Sequence, residues 1–286
     1  MLPAATIALY ENLKDQLPDE FTQSILEGSL RVLVDDNNPI RGNLFALGTR
    51  EMMRHVLEIL APDEFVRKCK WFKNAVEQRR ASKQENPEQI TRRDRMTYAT
   101  QGGISDEMLK ELEVDPDEMH SILAQTINKL SKFTHVQPET MLGSAKATDA
   151  IVVEVLETLS AFLTSILEFR SEVARVVSDA IDTEVLNTFM ADTIGELDEL
   201  SSHTQVNDAV VENLEVVNID PHIVTLKGRG TVYVDLVYGS ASDERRGDGA
   251  RESARYPFTM TINALTTDFT HLTTGITRVD TSCFYE

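Results

Sequence analysis

Positive charge is scarce in this chain. Of its 286 residues, 28 are Lys or Arg and 47 are Asp or Glu, a net charge of −19 at pH 7. That balance argues against a protein coated in nucleic acid, because counterion release needs clustered cations facing the phosphates. Cysteine is rarer still. Cys69 and Cys283 make neither a disulfide framework nor a zinc set, and a reducing cytoplasm fits them best. There is no Gly-x-Ser-x-Gly, Walker loop, Cys-x-x-Cys or His-Glu-x-x-His, which argues against serine hydrolases, P-loop ATPases and zinc enzymes. No cofactor or metal is expected. No basic region followed by an apolar block is visible at the start, so no secretory signal is expected. The apolar run "IVVEVLETLSAFLTSILEF" is interrupted by Glu154 and Glu157 on one helical face. It reads as an amphipathic core helix and not as a membrane span.

What is present is enough for two domains. Apolar residues recur at helical spacing through most of residues 1–204, with helices expected at about 39–61, from Thr91 to Gly102, from Asp115, and at 147–178 and 181–200. Residues 77–93 are polar and broken by Pro87, and read as an exposed loop. Near Thr204 the pattern changes to period-two alternation rich in β-branched and aromatic residues. Lys227-Gly228 and Arg229-Gly230 suggest a hairpin corner or bulge, and "GSASDERRGDGARESAR" (239–255) a long insertion between strands. The fold class is therefore α+β: a helical domain at 1–204 and a small antiparallel, sandwich-like β domain at 205–286.

The few cations are unevenly spread. Residues 66–95 carry ten (Arg67, Lys68, Lys70, Lys73, Arg79, Arg80, Lys83, Arg92, Arg93, Arg95) against four acidic residues. Residues 149–200 carry twelve acidic residues against Arg170 and Arg175. Two readings are open: the segments neutralise one another, within a chain or across a dimer, or residues 66–95 form a nucleic-acid groove.

Three clusters could carry chemistry. In "TREMMRHVLEILAP", Arg50 and His55 are separated by four residues, about 140° around a helix, whereas Glu51 and His55 share a face. His55 is a candidate acid–base group or a half-buried structural histidine. In "NKLSKFTHV", Lys129, Lys132 and His135 lie at a helix end, where the helix dipole favours them without any catalysis. In "YVDLVYGSASDERRGDGARES", Asp235 and Glu244-x-Arg246 mimic the order of a restriction-type metal site, with Arg where Lys is required. A loop neutralised by pairing Arg245 and Arg246 with Asp243 and Asp248 is the simpler reading.

The Arg-x4-His spacing resembles the signature of the helical HEPN RNases, as does "LSKFTH", although Asn128 or Lys129 stands where that pattern has Arg. More widely, "NPIRGNLFALGTREMMRHVLEILAPDE", "ITRRDRMTYATQGGISDE", "LSKFTHV" and "VYVDLVYGSASDERRGDGA…YPFTMTI…VDTSCFYE" resemble the bacterial proteins described as predicted pPIWI-associating nucleases. The likeness spans nearly the whole chain. It implies a genome-defence setting and a partner protein from the same operon, while the separate HEPN likeness of the helical half implies a symmetric homodimer with His55 or His135 near the axis. Three hypotheses follow: a nuclease using Arg50, His55 and His135, fed by the basic segment; a non-enzymatic dimerisation or adaptor module; and an acidic mimic of nucleic acid.

Overall fold

A computed structural model describes residues 2–191, 194–239, 246 and 249–284. The helical elements are α1 (Ala4–Lys14), α2 (Glu20–Val32), α3 (Arg41–Leu60), α4 (Asp63–Val66), α5 (Lys70–Ala81), α6 (Arg92–Gln101), α7 (Asp106–Glu111), α8 (Asp117–Phe133), α9 (Ala145–Ala191) and α10 (Gly195–Asp198). Among the described residues four strands follow: β1 (His203–Ile219), β2 (Ile223–Tyr238), β3 (Ala250–Leu265) and β4 (Asp268–Val279). The α+β class and its order, helices first and antiparallel strands last, are those expected. The polar segment after residue 77 differs in part, because α5 runs on to Ala81.

Several boundaries have a local cause. Thr91 and Asp94 form a reciprocal capping box at the start of α6, and Gly102 ends that helix at φ 57°, in the region that favours glycine. Two helices were expected over 147–200, but α9 is one helix of 47 residues. No Gly or Pro lies between Ala145 and Ala191 to interrupt it.

The chain forms two compact units. The first comprises Met1–Gly103 and Glu113–Phe169, and the second Ile104–Leu112 and Arg170–Glu286. The change from helices to strands thus falls at His203, whereas the units divide inside α9. The core of the first unit gathers Phe45, Met52, Met53 and Val56 of α3, Leu123, Ile127 and Leu130 of α8, and Val152, Leu156, Leu159 and Phe162 of α9. Residues Ala145–Ser178 of α9 are long and apolar enough to cross a membrane, with a mean hydropathy of 1.8 in their best window, and half of that window is buried inside the protein.

In the second unit the strands make one antiparallel sheet in the order β1-β2-β3-β4. Among the described residues there is no second sheet to complete the sandwich-like domain that the alternation suggested. Alternation records that one face of a sheet is buried, not what buries it. Here Phe189 of α9 meets Phe258 of β3 edge-to-face with centroids 5.0 Å apart, and the Thr188 hydroxyl lies 2.9 Å from that of Thr274 on β4.

The long insertion is shorter than expected. Residues 250–255 belong to β3, with Glu252 opposite Leu236 and Ser253 opposite Asp235, so Asp235 lies inside β2. Gly228 and Gly230 also lie inside β2, not at a corner. The bulge is on the neighbouring strand: Val211 faces Gly230 and Asn213 faces Arg229, leaving Glu212 without an opposite residue. A Cβ on Gly230 would stand 2.0 Å from the Val210 carbonyl oxygen and 2.9 Å from the Phe258 ring. Gly230→Ala should therefore push β1 away and cost about 1–3 kcal/mol in denaturant unfolding; an unchanged midpoint would show that the bulge is not held by this close approach.

Candidate functional site

Asp19 precedes α2, and its Oδ1 accepts the Thr22 backbone N–H at 2.7 Å. Its other oxygen lies 3.4 Å from Nε2 of His55 on α3. The Thr22 hydrogen bonds and then the imidazole hold the Asp19 carboxyl below its usual range. Phe21, 57% exposed, lies edge-on to the His55 ring with centroids 5.0 Å apart. His55 is thus a half-exposed histidine held between a carboxylate and an aromatic ring. The Glu51–His55 pairing that the spacing offered is replaced by this longer-range contact.

Glu51 instead serves two arginines. Arg50 Nε donates to its Oε1 at 3.1 Å, and Arg54 Nε donates to its Oε2 at 3.0 Å, while Arg54 also reaches Glu58 at 2.6 Å. The Arg50 bond first, then that of Arg54, holds the Glu51 carboxyl below the usual range. Arg50 and His55, although on the same helix, therefore have separate partners.

His135 lies beyond the end of α8 with its side chain exposed. Asn43, near the start of α3, ties that segment down by donating to the Phe133 and Thr140 carbonyls at 2.8 and 2.9 Å and accepting from the Leu142 N–H at 3.1 Å. His55 stands twelve residues further along α3, about 18 Å at 1.5 Å per residue. The two histidines are not brought together within one chain. Asn128 accepts from Arg92 at 3.0 Å and Lys129 pairs with Glu154, so both residues have partners within the chain.

Most of the basic segment is likewise engaged. Arg67 donates to the Glu88 carbonyl, Arg80 pairs with Glu88, Arg93 with Asp117, and Arg95 with Asp63 and the Ala61 carbonyl. Lys68 lies over the Phe65 ring. Arg79 holds Asp94 at 2.5 Å and also donates to the Gln89 carbonyl, closing the loop before α6. Lys70 and Lys73 are exposed and have no such partner among the described residues.

In the second unit, Asp235 accepts from Ser253 at 2.6 Å, with Arg251 at 3.8 Å, and the Ser253 bond leads the effects that lower its carboxyl. Of its proposed companions, Asp243, Glu244, Arg245 and Asp248 lie outside the described residues, and Arg246 is exposed. Among the described residues no three His, Cys, Asp or Glu side chains could hold a metal ion together.

One buried group escaped the sequence reading. His120 of α8 is 1% exposed, with Nε2 2.9 Å from the Thr100 hydroxyl. That hydroxyl donates to the Met96 carbonyl at 3.1 Å, so Nε2–H is the donor to Thr100. Nδ1 is then left as a buried acceptor without a partner. The signal was available: His120, Leu123 and Ile127 follow one apolar stripe.

Two family models, each described as a predicted pPIWI-associating nuclease, match residues 14–159 and 166–285. The chain belongs to that family. The gap between the two matches lies inside α9, a few residues before the division between the compact units at Phe169. No curated protein and no solved structure matches this chain.

Two stability predictions follow from buried groups. Arg79→Ala leaves the 4%-exposed Asp94 without its cation and should lower unfolding stability by about 3 kcal/mol, whereas Lys73→Ala should change it little. Burial pushes the pKa of His120 from 6.5 down to about 4. Between those values the unfolded chain takes up a proton that the folded chain refuses, so stability falls as pH drops from 6.5. That contribution is at most on the order of 3 kcal/mol. In denaturant titrations at stepped pH, His120→Leu should gain on the parent protein as pH falls; parallel profiles would contradict this.

Proposed function

We propose that the chain is a cytoplasmic ribonuclease of a bacterial genome-defence system, cutting RNA without a metal ion at the His55 surface. The observation that carries this reading is the Asp19–His55–Phe21 arrangement. A carboxylate facing Nε2 fixes the ring orientation and leaves Nδ1 to take the proton of a 2′-hydroxyl. The 2′-oxygen then attacks phosphorus as the bond to the 5′-oxygen breaks, and the 5′-oxygen leaves with a proton taken from solvent water. Phe21 offers an exposed face for a base to stack on.

Arg50 and Arg54 supply the phosphate contacts. Their present ion pairs with Glu51 and Glu58 are surface pairs, which contribute only about 0.2–1 kcal/mol each and exchange readily for a phosphate. The Arg50-x4-His55 spacing supports a HEPN-like reading of the helices and, with it, a homodimer. Because His135 stands at the other end of α3, it could join His55 only across two copies.

A second reading has its own support. Six of the ten cations in residues 66–95 (Arg67, Arg79, Arg80, Arg92, Arg93 and Arg95) are bonded within the chain. A module that binds a defence partner, with no cleavage of its own, needs no such groove.

The test uses labelled RNA and DNA of one sequence, with and without chelator, and the His55→Ala, Asp19→Asn and His135→Ala variants. The nuclease reading expects RNA cleavage that is insensitive to chelator and falls about 10²–10⁴-fold in His55→Ala, with a smaller loss in Asp19→Asn. An equal loss in His135→Ala supports a composite site across a dimer. No cleavage of either polymer sinks the reading and favours the partner-binding module.

A further inference from the structure

The first unit pairs most of its basic segment with its own carboxylates and carbonyls, but the sheet of the second unit leaves arginines unpaired. Arg229 of β2, Arg255 of β3 and Arg278 of β4 are exposed, and none has a side-chain ion pair or hydrogen bond among the described residues. With 47 acidic residues against 28 basic ones, an unpaired guanidinium is a scarce group in this chain. The register puts all three on one face. Thr259 of β3 stands opposite Arg229 on one side and Arg278 on the other. That sets the two arginines roughly 9–10 Å apart at Cα, two inter-strand spacings. Arg255, four residues before Thr259 and so on the same face, stands opposite Tyr233, which is 39% exposed.

This face is the solvent side of the sheet. Phe258 and Met260, which alternate with Thr259, are buried, and Phe258 packs on Phe189 of α9. The outward residues of β3 after Arg255 are Pro257, Thr259, Thr261 and Asn263, with no carboxylate among them. The row across the sheet reads Asn213, Arg229, Thr259, Arg278, again without one. Carboxylates border this area, and each has a neighbour of its own. Glu215 stands opposite Lys227, Glu212 accepts from the Thr231 hydroxyl at 2.8 Å, Asp208 from the Ala209 N–H at 2.8 Å, and Asp235 from Ser253 at 2.6 Å. Asp280, just past β4, donates its N–H to the Pro257 carbonyl at 2.9 Å, and its carboxylate accepts from the Ser282 N–H at 3.0 Å. At 0.1 M salt, screening limits the reach of these and of more distant charges to about 10 Å.

We infer that this face binds a single-stranded nucleic acid. Arg229 and Arg278 hold a phosphate over the Thr259 hydroxyl by charge-assisted hydrogen bonds, and that anion relieves the repulsion between them. Arg255 meets a neighbouring phosphate, and a base stacks on Tyr233. The hydroxyl and amide groups along β3 bond to sugars and base edges. A duplex keeps its bases stacked inside and leaves Tyr233 unused. An acidic peptide could meet the arginines, but it does not bring a ring with each charge. The inference concerns binding by the second unit and does not depend on His55 cutting the strand.

The test uses the full chain and fluorescein-labelled probes of about twelve units, within the site sizes of strand-binding sheets. They are 2′-O-methyl oligouridine, which lacks the hydroxyl that His55 would activate, the same strand in a duplex, and oligoglutamate. Anisotropy should report the tightest binding for the single strand. Arg229→Ala/Arg278→Ala should weaken it about tenfold or more and flatten the slope of log affinity against log salt by about 1. Circular dichroism of that variant should stay unchanged. Tyr233→Ala should weaken binding about fivefold or more. Asp280→Asn, which keeps an acceptor for Ser282, should tighten it. A 4-thiouridine strand should photocrosslink to peptides of β2, β3 or β4. Crosslinks confined to α3, or no binding of any probe, would overturn the inference. Oligoglutamate binding as tightly as the single strand would assign the face to an acidic protein instead, and tighter binding of the duplex would overturn the single-strand preference.

Discussion

The excess of carboxylates over cations is the constraint on which the rest of this structure turns. With 47 acidic side chains and 28 basic ones, each guanidinium that closes a loop or ties two helices together is one fewer for a ligand. Arg79 shows the consequence in its strongest form. It is held by a nearly buried carboxylate and a loop carbonyl, so it is part of the fold before it can be part of a surface. Arg93 and Arg95 do similar work, linking α6 to the start of α8 and to Asp63. A basic stretch in the sequence thus becomes a brace within the first unit.

The same constraint shapes the surface proposed for function. At α3 the cations that could meet a phosphate sit in exchangeable surface pairs, and the distinctive feature is the histidine fixed by Asp19 beside an exposed ring. At β1 the strand edge is acidic and bare of cations. A nuclease acting on one local phosphate, as proposed, needs only a few cations.

The sequence carried much of the local structure. Thr91 and Gly102 mark the ends of α6 because capping and positive φ are decided within a turn of chain. The change at about residue 204 was visible because period two replaces period 3.6. What was not legible depends on residues far apart in the chain. Asp19 and His55 meet across two helices, Arg95 finds Asp63, and Gly230 is required by Val210, twenty residues earlier on the other strand. Arg50 and His55 were visible as a pattern, yet the pattern did not say that Glu51 would take the arginine and Asp19 the histidine. His120 was passed over although its apolar stripe was in view, because a histidine on a core face draws notice only when its burial is known.

The central claim is that His55 promotes attack by a 2′-hydroxyl, and the chemistry of the cut ends tests it most directly. RNA fragments made by the purified chain in the presence of chelator should be analysed for their termini. The account predicts 2′,3′-cyclic phosphate on one fragment and 5′-hydroxyl on the other, because the substrate's own hydroxyl displaces the 5′-oxygen. Termini bearing 5′-phosphate and 3′-hydroxyl would mean that water made the attack, and would contradict it.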